Sequence, residues 1–301
     1  MKGKIKMKKL ILIISLLLTA AISNSVQQTE FPKLTGPYFG QKPPGMTPEH
    51  FGVGVIDNDE RVFAITFSPD GKECFYTKSL TTNTIMTAKE INGRWSKPVI
   101  AEFSGKVFDF EPHITPDVTK MIFGSLRPLP GSNKQDEVHQ WVIEKKDDGW
   151  SEPKPLGSPF SDGFCMYVSV ANNGNIYFTG IDGIYLSVFL DGKHSTPKKL
   201  DQVINDLQYA AHPFIAPDES YLIFDAQPED GNSELFVSFR NEDESWSKPQ
   251  KFGSSFNTNQ NELAAFVTRD GKYLFFSRMS RGKGDIYWVS AKIIEELRPK
   301  E

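Results

Sequence analysis

Apolar residues along this chain come in short alternating runs broken by Pro, Asp, Asn and Gly, a pattern that predicts strands and tight turns rather than helices. One run–turn–run phrase occurs five times. The copies are Phe67-Ser-Pro-Asp-Gly-Lys-Glu-Cys-Phe-Tyr76, Ile114-Thr-Pro-Asp-Val-Thr-Lys-Met-Ile-Phe123, Val170-Ala-Asn-Asn-Gly-Asn-Ile-Tyr-Phe178, Ile215-Ala-Pro-Asp-Glu-Ser-Tyr-Leu-Ile-Phe224 and Val267-Thr-Arg-Asp-Gly-Lys-Tyr-Leu-Phe-Phe276. Each predicts a β-hairpin. The turn residues Asp70, Asp117, Asn173, Asp218 and Asp270 lie 47, 56, 45 and 52 residues apart. A repeat of that length with several strands per unit predicts a propeller or an array.

Each unit continues with a third apolar run, starting at Thr84, Gln140, Gly183, Glu234 and Asp285. A fourth element follows in four units: Trp95-Ser-Lys-Pro98, Trp150-Ser-Glu-Pro153, Ser195-Thr-Pro197 and Trp246-Ser-Lys-Pro249. Four strands make a propeller blade. Pro suits its outer edge, where no partner needs the missing N–H, and the Trp is expected to pack against the neighbouring blade. The fifth unit lacks a fourth element, but Thr47-Pro-Glu-His-Phe-Gly52 matches Lys248-Pro-Gln-Lys-Phe-Gly253 in its Pro, Phe and Gly. An N-terminal strand is therefore expected to complete the last blade and close the ring. The predicted architecture is all-β: a single five-bladed β-propeller over residues 47–294, an extended surface leader over 26–46, and a tail at 295–301, with one helical turn expected over Ile293–Arg298.

The head of the chain has a different character. Five Lys residues lie within positions 2–9, an apolar run spans 10–22, and small residues follow. That order predicts a secretory signal peptide over residues 1–25. The run is shorter than the roughly 20 residues that span a bilayer, which favours a cleaved signal over an anchor. No transmembrane segment is expected after cleavage, and the product is expected in the periplasm or the exterior, as a monomer. The net charge of -4 offers no basic footprint for nucleic acid. The two Cys residues, Cys74 and Cys165, sit in apolar strands two repeats apart and are expected to be buried free thiols.

The Ser-Pro-Asp-Gly-Lys hairpin, repeated with this spacing behind a signal peptide, resembles the TolB-type, or WD40-like, β-propeller family of bacterial cell envelopes. The resemblance covers about residues 45–294. Asn172-Asn173-Gly174 replaces Pro-Asp-Gly in the third copy and Arg269 replaces Pro in the fifth. It implies an envelope or secreted location and a partner peptide held at one end of the channel. It implies no single activity, because propellers host many unrelated functions.

Strict alternation along the innermost strands separates a core face from a channel face. Phe63, Ile65 and Phe67, with Leu263, Ala265 and Val267 and their equivalents, form the expected core face. The expected channel face carries Asp109, Glu111, His113, Tyr167, His212 and Glu262 beside Ala64, Thr66, Ser169 and Ala264. Long connections are expected at 127–136, 227–233 and 278–284, with Lys78, Arg127, Asp225 and Arg278 rimming the mouth. Three readings compete for this funnel. It is a solvated structural channel, or a binding site for an envelope protein, peptide or glycan. Alternatively it is the site of a carbohydrate-active hydrolase or lyase, with Glu111, His212 and Tyr167 as candidate catalytic residues. No cofactor is predicted, although a divalent metal could sit in the channel. The two His residues there match no short metal motif, and no nucleophile elbow, Walker loop, dinucleotide fingerprint or HEXXH pair occurs.

Overall fold

A computed structural model describes residues 31–56, 60–133, 137–147, 149–228 and 231–300. The predicted signal peptide and the first residues of the predicted leader lie outside that set. Among the described residues no helix is long and apolar enough to cross a membrane.

The protein is all-β, built of curled antiparallel sheets, and the repeated phrase explains their hairpins atom by atom. In every copy the turn Asp or Asn accepts the N–H two residues on: Lys72 to Asp70, Thr119 to Asp117, Asn175 to Asn173, Ser220 to Asp218 and Lys272 to Asp270. This local bond is why the residue recurs. The next position is left-handed each time, at Gly71, Val118, Gly174, Glu219 and Gly271. Gly adopts that conformation without strain, which accounts for its three occurrences.

Four strands assemble around each hairpin. The innermost strands are Arg61–Phe67, Asp109–Ile114, Met166–Val170, Gln208–Ile215 and Asn261–Val267. Each pairs with a second strand, then a third, then short outer pieces. The innermost strands contact one another in sequence, and the last contacts the first. The outer strand of the last unit is Glu49–His50, which pairs with Lys283–Ser290 at Glu49–Trp288 and His50–Tyr287. The N-terminal segment thus supplies the strand that the C-terminal unit lacks.

The core lies between units. Trp246 joins Tyr177 and Ile184 of the preceding unit, and Trp150 meets Phe75 of its own predecessor edge to face. Cys74 and Cys165 are buried free thiols. Lys292–Glu296 forms the expected short helix, with an Arg298–Glu295 pair beyond it.

Two features depart from the sequence expectation. The leader does not simply lie extended on the surface. Tyr38 and Phe39, 8% and 4% exposed, insert between the last unit and the first. Tyr38 packs on Phe67, Tyr273, Phe275 and Trp288, and Phe39 on Phe51 and Trp95. Trp95 donates its N–H to Leu34 O and its Nε1–H to Gly36 O. The last and first units also touch directly, through Phe67 on Phe275 and a bridge between Arg61 and Gly284, and the leader adds to that seam. Second, residues 278–284 do not form a long loop. Tyr273–Ser280 and Lys283–Ser290 continue as a hairpin closed by Arg281 and Gly282.

Candidate functional site

Every innermost strand carries a bulge at one register position. The pairing shifts between Phe63 and Thr66, Phe110 and His113, Met166 and Ser169, Ala211 and Phe214, and Leu263 and Phe266. Inside each shift one residue is left-handed: Ala64, Glu111, Tyr167, His212 and Ala264, with φ of 51, 56, 47, 46 and 55°. None is Gly, so each costs on the order of 1–2 kcal/mol. The turned N–H groups find partners on the second strand of the preceding unit. Ala64 donates to Ser277 Oγ at 2.9 Å, Glu111 to Thr77 Oγ1 at 2.8 Å, His212 to Thr179 Oγ1 at 2.9 Å and Ala264 to Asp225 Oδ1 at 3.3 Å. In four of the five units a short polar side chain thereby ties the second strand to the next innermost strand, and the second unit has Gly124 at that position.

The same bulges bring three predicted site residues together. His212 Nε2 lies 3.5 Å from Glu111 Oε1. The Tyr167 ring stands edge to face on the imidazole, 5.1 Å between centroids. Tyr167 donates its hydroxyl to Ala265 O at 2.9 Å. The fourth member is Asp225, expected at the rim but in fact 2% exposed. The His212 Nδ1–H contacts both its oxygens at 2.9 and 3.1 Å, and Ser233 Oγ donates to Oδ2 at 2.9 Å. Asp225 occupies the position of Thr77, Thr179 and Ser277, so aligning the second strands by their turns would have found it.

The electrostatics follow from this sandwich. Burial works against a charged His212, but Asp225 and then Glu111 outweigh it and raise the imidazole to about 10. At neutral pH it is an imidazolium between two carboxylates. Burial, then Glu111 and Asp225, drive the Tyr167 phenol well above its ordinary range. Glu111 Oε2 is the one buried oxygen of this group without a partner. Among the described residues no three His, Cys, Asp or Glu side chains converge as a metal site.

The remaining predicted site residues lie elsewhere, and the bulge is the reason. An extra residue reverses the alternation upstream of it. Asp109 and Glu262, expected in the channel, turn inward as fully buried carboxylates, each paired with an Arg. Asp109 meets Arg127, Ser104 Oγ at 2.8 Å and Ser125 Oγ at 2.7 Å. Glu262 meets Arg278 Nε at 2.9 Å and Thr258 Oγ1 at 2.6 Å. Arg127 and Arg278, expected as rim cations, are held by these carboxylates and by the carbonyls of Phe103, Ser255 and Phe256. Lys78 pairs with Glu60. Phe63 and Leu263, expected on the core face, gather with Phe110, Met166, Ala64 and Ala264 in an apolar cluster shared by four innermost strands.

His113 stands apart from the cluster. Its Nε2 accepts the Val170 N–H at 3.2 Å, and burial pushes it down to about 4, so it is neutral. It borders a small recess at the hairpin-turn end, walled by Phe67, Phe214 and Phe266. The Arg278–Glu262 pair makes one expectation direct. Arg278→Ala leaves a fully buried carboxylate with only its Thr258 bonds, and the urea midpoint is expected to fall by the equivalent of about 2–3 kcal/mol. The paired change Glu262→Gln with Arg278→Met recovers part of that loss.

No family model matches the chain, and no curated protein matches it. Among solved structures it is similar to a putative TolB from Agrobacterium tumefaciens, at 13% identity and a TM-score of 0.49 over 79% of this chain and 79% of that one. It is also similar to TolB from Acinetobacter baumannii, at 16% and 0.48 over 78% and 55%. A GH43 endo-arabinanase from Bacillus licheniformis matches at 12% and 0.49 over 77% and 94%. These are distant likenesses of chain path, and they assign no chemistry.

Proposed function

We propose that the chain is an exported bacterial five-bladed β-propeller that serves as a binding or scaffold module. Residues 1–25 act as its signal, residues 47–294 form the ring, and an envelope protein, peptide or glycan is held at the end where second and third strands connect. It acts in the periplasm or outside the cell, as a monomer.

The observation that carries this reading is the engagement of the groups that could do chemistry. His212 is held between Asp225 and Glu111, and Tyr167 donates its hydroxyl hydrogen bond to Ala265 O. Arg127 and Arg278 neutralise Asp109 and Glu262. Side chains so committed hold strands in place. A carbohydrate-active enzyme remains the second reading because Glu111 Oε2 is buried and free to accept a proton or a hydroxyl.

The test uses the protein freed of its signal peptide. Crosslinking in envelope extract is expected to yield a defined partner or retained glycan, and a polysaccharide panel, with and without divalent metal, is expected to show no turnover. Turnover that Glu111→Gln abolishes while the thermal melt is preserved would establish the enzyme instead.

A further inference from the structure

The third unit has a low outline at the proposed binding end. Its second and third strands are joined only by Ile181 and Asp182, whereas residues 126–138 and 228–233 make the connections in the units on either side. Two adjoining recesses open there, of about 420 and 690 Å³, sharing Phe164, Gly180 and Ile181 in their walls. Three large apolar side chains are presented to solvent there: Ile181 is 80% exposed, Tyr209 74% and Phe164 45%. Tyr209 is also left-handed, with φ of 54°, and the pairing shifts between Gln208 and Ala211 around it. Holding an exposed Tyr in that conformation costs on the order of 1–2 kcal/mol, with no burial of its ring to offset it. Backbone strain of this kind is found most often at binding and active sites.

The charged side chains that line these recesses are carboxylates. Asp162, Asp182 and Asp206 are exposed in their walls, and no Lys or Arg lines either recess. Lys199, outside the lining, answers Asp182 at 2.9 Å. His194 is held below its ordinary range by burial and by Lys120, so it adds no charge at neutral pH. An aliphatic and aromatic floor with carboxylates at its edge complements a segment that alternates apolar residues with Lys or Arg. We propose that Phe164, Ile181, Tyr209 and Asp206 form the docking site for a basic, apolar polypeptide segment of a partner protein. This rests on the binding reading above and gives it a place off the central axis and a partner chemistry.

The experiment measures fluorescence anisotropy of short labelled peptides that alternate Lys with Leu or Phe, against the same peptides with Glu for Lys. The Lys peptides are expected to bind, and added salt is expected to weaken them because the carboxylates face solvent. Ile181→Ser and Tyr209→Asn, both at exposed positions, are each expected to weaken binding at least about tenfold while the melt is unchanged. Asp206→Asn weakens it less, and Val99→Asp, on the exposed outer strand of the first unit, leaves it intact. The site is overturned if the Lys peptides do not bind, or bind these variants as tightly as the parent. It is equally overturned if oligosaccharides occupy the recess, or if sedimentation shows it covered by a second copy of the chain. A partner captured from the envelope as well by Ile181→Ser as by the parent would sink this recess alone. Polysaccharide turnover without any capture would sink the binding reading beneath it.

Discussion

Phe39→Ala and Tyr38→Ala are each expected to lower the unfolding free energy by about 3–5 kcal/mol, the range for removing a buried aromatic. Both residues are left-handed, with φ of 59 and 54°. That conformation costs on the order of 1–2 kcal/mol apiece. Burying each ring returns roughly 1.5–3 kcal/mol, and each aromatic pair adds about 0.5–1.5 kcal/mol. With four rings around Tyr38 and two around Phe39, packing wins. The rings share a cluster through Phe51, which touches both Phe67 and Trp288, so the double variant should lose less than the sum. Urea unfolding of the two single variants and the double variant checks this. A loss within about 0.5 kcal/mol, as for an ordinary surface change, would show that the leader is merely draped over the seam.

His212→Ala is expected to cost about 3–5 kcal/mol, because it strands Asp225 and Glu111 as buried carboxylates without their shared cation. The pH dependence carries the sign of that cation. His212 titrates near 10 in the folded protein and near 6.5 when unfolded, so at pH 7 to 9 the folded chain holds a proton that the unfolded chain lacks. Its contribution is complete below about pH 6.5 and is lost as pH rises through about 10. Unfolding free energies measured from pH 6 to 10 should therefore fall more steeply for the parent than for His212→Gln. Parallel curves would mean that the imidazole is neutral when folded, and would reopen its use as a base.

Local chemistry made the repeat legible. The Asp or Asn of each turn accepts an N–H only two residues away, so its signal survives whatever the rest of the chain does. The closing strand was legible for a related reason: Pro, Phe and Gly recur in Thr47–Gly52 because an outer strand faces the same surroundings in every unit. Glu111, Tyr167 and His212 each lie six residues before the Asp or Asn of their turn, and the structure joins them. The same counting failed for Asp109, Glu262, Phe63 and Leu263. They lie on the far side of a bulge whose left-handed residues are Ala, Glu, Tyr and His, none of which announces a reversal.

The amino-acid sequence by itself determined the strand-and-turn rhythm, the number of copies and the pairing of the chain's two ends, since each depends on residues close together or on a pattern repeated along the chain. Tertiary structure alone decided which polar groups meet. Glu111 and His212 come from different units and Tyr38 packs on both the last unit and the first, while Asp225, Arg127 and Arg278 find their partners on the neighbouring strand of their own unit. Their energies come from burial and from charges brought within a few ångströms, and neither quantity exists until the strands have closed around them.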